Sequence, residues 1–147
     1  MVKSLLEYNS YYNQVYIACL VENKVKDERC LSLMSHILNA QHIWNSRVLS
    51  KPMPFAPWHV HEVSKLLSLN ESGFSGSMEI MMQVDPVHVF TYENTKGQQF
   101  SNSVQDVMTH VANHGTYHRG QLAMRLKELG IQPPPSDYII YKRSIDV

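Results

Sequence analysis

The stretch from Ser103 to Gly130 constrains this chain more than any other part of it. Ser103-Val104-Gln105-Asp106 resembles a capping box with Asp in place of Glu, which predicts a helix starting there. Gly130, followed by Pro133, Pro134 and Pro135, marks the end, because glycine suits a helix C-terminus and proline cannot continue one. Between these signals Val107, Met108, Val111, Gly115, His118, Leu122, Arg125, Leu126 and Leu129 recur at helical spacing. A helix with such a stripe must bury it against neighbouring elements. Histidine interrupts the stripe, and that interruption organises the rest of the reading.

The remaining chain supplies partners for that helix. Leu5, Tyr8, Tyr12, Val15, Tyr16, Cys19 and Leu20 predict a first amphipathic helix from Leu5 to about Val21, followed by a polar connection from Asn23 to Lys26. Asp27 is placed to cap a second helix, with Glu28 in its electropositive first turn. Leu31, Met34, Ile37, Leu38, Gln41, Trp44 and Val48 carry that helix to about Leu49, before Pro52. Three prolines make residues 51–58 a loop. A third helical region is expected between about Val60 and Val84, as one broken helix or two pieces, because Ser72-Gly73-Phe74-Ser75-Gly76-Ser77 is poor helix-forming material. The β-favouring residues of Val87 to Tyr92 and the turn at Lys96-Gly97 predict a short strand or hairpin, paired with Gln98 to Phe100. The tail from Ser136 to Val147 holds Tyr138, Ile139, Ile140 and Tyr141, apolar enough to pack onto the helices. The expected class is all-α: a single domain over residues 1–147, built as an antiparallel four-helix bundle with a short hairpin before the last helix.

Composition closes off several functions. With 44% hydrophobic and 18% charged residues, the chain can offset the entropy of ordering and is not a disordered polymer. Thirteen Lys and Arg balance thirteen Asp and Glu, so there is neither the basic excess of a nucleic-acid binder nor a polybasic membrane anchor. Val15 to Val21 is far shorter than the roughly 20 residues that span a bilayer. Glu7 and the tyrosines after it stand where a signal peptide needs an apolar stretch. Cys19 and Cys30 form no C-x-x-C and read as buried thiols of a reducing compartment. A cytoplasmic location is the expectation. Composition leaves one surplus unexplained, the eight histidines.

His110, His114 and His118 lie on one face of the last helix. Adjacent members are about 6 Å apart along the axis, close enough to share one metal ion, whereas the outer two are about 12 Å apart and cannot. Two pairs therefore remain open on spacing alone, His110/His114 and His114/His118. His36 lies on an otherwise apolar face with Leu33, Ile37 and Ala40, where an unpaired buried imidazole costs about 1–3 kcal/mol. A metal shared with two histidines of a facing helix would give it a partner. No Glu or Asp lies within the histidine motifs, and the H-E-x-x-H arrangement is absent, which argues against peptide hydrolysis. His59 and His61, beside the proline loop, read as solvated; His42 and His88 have no evident partner. The eight methionines read as adaptable core filling.

Two motifs and the tail together resemble a known family. Ser35-His36-Ile37-Leu38-Asn39-Ala40-Gln41-His42-Ile43-Trp44 resembles the second-helix motif of the DinB family, in which a ligand histidine precedes a tryptophan by eight positions. The segment His110 to Leu122, reading HVANHGTYHRGQL, closely resembles that family's last-helix signature, and Pro133 to Ile139 resembles its tail. The resemblance implies a four-helix bundle holding a divalent metal, usually nickel or zinc, on His36, His114 and His118. It favours the second of the two open pairs and makes His110 a neighbour of the ligands. Three neutral imidazoles would leave a position of a tetrahedral ion for water or substrate. Asn113 and Gln121 are candidates to orient ligands, and Trp44 and Tyr117 to line a pocket. Arg119 could hold an anionic substrate group, but a fold-stabilising hydrogen bond or ion pair is favoured, since Arg is seldom buried unpaired. The resemblance further implies a homodimer and a small-molecule substrate, with a low-molecular-weight thiol as co-substrate in some branches. The leading expectation is a metal-dependent thiol transferase or hydrolase acting on a small electrophile. The alternatives are a non-catalytic, stress-related metal-binding bundle and a metal-free helical dimerisation module.

Overall fold

A computed structural model describes residues 1–145; Asp146 and Val147, the end of the expected tail, lie outside the described residues. The described residues of the chain are mostly helical, with one two-stranded sheet. Its elements run α1 (Val2–Glu22), α2 (Glu28–Val48), α3 (Val63–Gln83), β1 (Val89–Glu93), β2 (Gln99–Ser103), α4 (Val104–Glu128) and α5 (Tyr138–Ile145). Both anticipated caps are present. Asp27 accepts from the Cys30 amide at 3.0 Å, and Ser103 Oγ accepts from the Asp106 amide at 3.2 Å while donating to the Asp106 carboxylate at 2.6 Å. Gly130, at φ +76°, turns the chain just beyond α4.

The strands pair antiparallel, Val89 opposite Ser103 and Glu93 opposite Gln99. They reach further along the chain than the β-favouring residues alone suggest, because β2 runs without a break into the Ser103 cap. The amides of Val104 and Gln105 donate to the His88 and Pro86 carbonyls, at 3.0 and 2.8 Å. The hairpin thereby fixes where α4 starts.

Each long helix packs against two others: α2 against α4 and α3, and α1 against α3 and α4. One core cluster joins Tyr16, Leu20, Leu33, Met34, Ile37, Leu38, Leu66, Leu122 and Leu126. A second gathers Leu6, Ile80, Val104, Met108 and Val111, with Trp44 and Phe90 at its edge. Burying these side chains supplies the main drive to fold, at roughly 25 cal/mol per Å² of apolar surface. The tail packs as expected, in the form of a short helix whose Tyr141 is buried with Tyr8 and Tyr12.

The third helical region departs from expectation. It is one unbroken helix, and it begins at Val63 rather than Val60. Its small residues form the contact with α2. A Cβ on Gly76 would come within 2.9 Å of Asn45 Nδ2, so glycine allows the close approach. Across that contact Gln41 Nε2 donates to Ser77 Oγ, Ser77 Oγ donates to Asn45 Oδ1, and Asn45 Nδ2 donates to the Gly73 carbonyl, all within 2.9 Å. Poor helix propensity is offset here by buried hydrogen bonds and close packing.

Candidate metal centre

His36 on α2 and His114 and His118 on α4 converge where these helices pack, each offering one ring nitrogen within 4.8 Å of the others. His36 Nε2 and His114 Nε2 face each other at 3.0 Å. The ring centroids are 4.7 Å apart for His36 and His114, 4.6 Å for His36 and His118, and 4.4 Å for His114 and His118. His36 and His118 are each only 9% exposed.

The protonation of two rings follows from their partners. His36 Nδ1 lies 2.7 Å from the Pro57 carbonyl, and a carbonyl only accepts, so Nδ1 carries the proton and Nε2 presents a lone pair. His118 Nδ1 donates to Gln121 Oε1 at 2.8 Å, which likewise leaves its Nε2 bare. His114 Nδ1 is buried without a hydrogen-bond partner. Burial disfavours the charged form of His36 and His114. It lowers the His36 pKa, and it pushes His114 down to about 3, with His118, His36 and His110 adding to the shift. Among the described residues no carboxylate belongs to the group. Neutral, converging imidazoles with lone pairs facing inward repel one another unless a proton or a cation sits among them. The donor set therefore fits a divalent metal that accepts imidazole nitrogen.

The other expected site residues divide. Gln121 supports His118 directly. His110 stands one turn before His114, with ring centroids 5.5 Å apart, and is not in the group of three. It borders a cavity of about 300 Å³ with Trp44, Tyr92, Asn102, Asp106 and Val107, and Trp44 meets it edge to face. Tyr117 lies 5.0 Å from His118, centroid to centroid, but is 64% exposed. Asn113 does not support a ligand: it is exposed and borders a different cavity, with Leu5, Tyr8 and Tyr138. Arg119 does not reach the site either, because its position on α4 turns it toward α1. It is fully buried, and its Nη1 donates to Asn9 Oδ1 and Asn13 Oδ1, each at 2.6 Å.

The expectation of a solvated His59-x-His61 is half corrected. His59 is exposed, but His61 is buried and donates through Nε2 to Asn39 Oδ1 at 2.6 Å. His42 also has a partner, donating through Nε2 to the Leu69 carbonyl at 2.9 Å. Reading the sequence missed Trp58 and Asn39. The Trp58 ring lies parallel to His36, 3.7 Å away with an interplanar angle of 1°. The one available signal was an aromatic residue in a proline-rich loop. Asn39 left none, since its partners are loop atoms distant in sequence.

A mostly helical protein with a cluster of three histidines between two packed helices has the makings of a metal-binding protein. The DinB family model matches residues 22–146, and the chain belongs to that family. Over 49 residues it is 37% identical to Protein DinB of Bacillus subtilis (strain 168). That match covers 33% of this chain and 28% of the relative's length. No described helix is long and apolar enough to cross a membrane.

Proposed function

We propose that His36, His114 and His118 hold a divalent metal, zinc or nickel, and that the protein is a cytoplasmic metal-dependent enzyme built on an antiparallel four-helix bundle. The observation that carries this reading is the 3.0 Å approach of His36 Nε2 to His114 Nε2, with the His36 proton committed to Pro57. A bound ion would supply Lewis acidity to an electrophile or thiol lying against it. His36 and His118 would serve as neutral donors already held in the ligating tautomer. Trp44, Tyr92 and His110 would form walls for a small substrate in the cavity that His110 borders one turn from His114.

The reaction we favour is transfer of a small thiol to an electrophile, or hydrolysis of one. The chain's own cysteines argue that such a thiol comes from outside. Both are buried; burial raises the Cys19 pKa, and burial together with Asp27 pushes Cys30 up to about 12. Neither supplies a ready thiolate. In this reading the protein acts as a homodimer and binds neither nucleic acid nor membranes. Trp58 over His36 and the low exposure of the cluster favour a second reading, in which the ion only ties α2 to α4.

The test begins with untagged protein stripped by a chelator and titrated with zinc and nickel. Stoichiometric binding that raises the melting temperature is expected, and no binding by either ion ends the metal reading. Metal-loaded protein is then assayed for metal-dependent consumption of electrophiles with several small thiols and with water alone. Silence throughout would leave the structural reading.

A further inference from the structure

Residues 51–62 contain neither helix nor strand, yet they lie against the histidine cluster in a defined way. Asn39, fully buried on α2, holds them. Its Nδ2 donates to the His59 carbonyl at 2.8 Å and to the Pro57 carbonyl at 3.3 Å, while its Oδ1 accepts from His61 Nε2 at 2.6 Å. One turn earlier, Ser35 Oγ accepts from the His61 amide at 3.0 Å. The Pro57 oxygen reached by Asn39 is also the acceptor for His36 Nδ1. The next residue, Trp58, stacks on the His36 ring and stands edge-on to His118 at 5.9 Å. Pro52, Pro54 and Pro57 each fix one backbone torsion, which lowers the entropy lost when the segment is held in one path.

We propose that residues 51–62 are a strap, fastened by Asn39, that positions His36. The Pro57 carbonyl selects the tautomer with its proton on Nδ1, and the Trp58 ring fixes the plane of the imidazole. Nε2 is thereby aimed at His114 before any ligand arrives. Asn39 and Trp58 are positioning residues that act through His36. The geometric part of the proposal stands on the protein alone, and its effect on affinity rests on the metal reading above.

Two measurements on the full chain separate these parts. The first is the tautomer of His36 in the metal-free protein, read from ¹⁵N couplings of labelled histidine. The second is the zinc dissociation constant, read by competition with a chromophoric chelator. Wild type should show the Nδ1–H form; Asn39→Ala should mix the two tautomers and weaken zinc by about 10–100-fold. Trp58 is 47% exposed, so its removal should leave the fold intact even if Asn39→Ala does not fold. Trp58→Ala should weaken zinc by about tenfold, within the range expected for supporting groups, and Trp58→Phe should restore most of the loss. The strap is overturned if wild-type His36 carries its proton on Nε2, or if folded variants keep the wild-type tautomer and bind zinc within about twofold of wild type. If wild type binds neither zinc nor nickel but its tautomer is Nδ1–H and shifts in Asn39→Ala, the strap stands and the metal reading falls.

Discussion

Helix α4 carries two polar clusters on adjacent faces, and their residues alternate in sequence: His114 beside Gly115, His118 beside Arg119. The face toward α1 is closed. Arg119 is enclosed by Asn9, Asn13 and Thr116, and its guanidinium lies 5.4 Å from the Tyr8 ring centroid. Asn13 Nδ2 passes the network to Asn70 Oδ1 at 3.1 Å, and Asn70 Nδ2 donates to the Ser10 carbonyl at 3.0 Å. A Cβ at position 115 would collide with Asn9 Oδ1, so a glycine stands there. Burial lowers the Arg119 pKa, but neutral oxygens meet most of its donors; Nε alone has no partner. The face toward α2 is the reverse. Its ring nitrogens converge, His36 Nε2 on His114 Nε2 at 3.0 Å, and a shared proton or a cation is what can join them. One cluster ties helices together through its own hydrogen bonds, whereas the other is a set of three histidines that could hold a metal ion.

The contrast can be broken at its closed side first, where the largest effect on stability is expected. Arg119→Met should strand the buried oxygens of Asn9 and Asn13, at about 1–3 kcal/mol each, and lower the denaturation midpoint accordingly. The fraction that stays folded should bind zinc with unchanged affinity, as a chelator competition would show. A large loss of affinity in that fraction would mean that the two faces are coupled.

On the open side the pattern should invert. His118→Ala should cost about a hundredfold or more in zinc affinity, beyond what supporting residues usually contribute. It should leave the melting temperature of the metal-free protein close to wild type. His110→Ala in the same titration should change affinity only slightly. Equal losses at positions 110 and 118 would shift the ligand assignment to the other pair on α4.

A smaller effect is expected where α2 and α4 are tied at the α2 N-terminus. Asp27 caps α2 and pairs with Arg125 at 2.7 Å. The Arg125 guanidinium, helped by the Cys30 amide, holds the Asp27 carboxyl well below the usual carboxylate range. A lowered folded-state pKa contributes stability that is present above the unfolded value of about 4 and is lost as pH falls below it. Asp27→Ala should therefore destabilise the metal-free protein by about 0.5–2 kcal/mol at neutral pH. That difference from wild type should shrink as denaturation is repeated at pH values below the carboxylate range. A gap that persisted in acid would show that packing, rather than the charge, carries the effect.

Much of the framework was legible in the chain because its signals are local. Asp27 and Ser103 cap the helices they were expected to cap, and Gly130 follows the end of α4. The hairpin also falls between α3 and α4 as its residues suggested. The break expected in α3 does not occur, since propensity could not register that Gly73, Gly76 and Ser77 are the surface on which α2 rests. At the site, spacing brought His114 and His118 within reach of one ion but left His110 equally eligible. His61 was expected to be solvated, and Asn39 and Trp58 escaped notice, because their roles depend on the path of an irregular loop.

By itself the sequence determined where the long helices lie, which residues form their apolar stripes, and that three histidines share a face of the last one. Those are consequences of backbone periodicity and of side chains that cap their own turns, and neither needs a distant partner. Only the tertiary structure decided which histidines meet. Packing α2 on α4 brings His36 to His114 and His118, and the strap from Pro57 to His61 sets the tautomer of His36. The same packing turned Arg119, one residue beyond a candidate ligand, away from the site and into a cage of asparagines. A 100° step along a helix separates neighbours in sequence onto different faces, and only the packing of the other helices determines what each face meets.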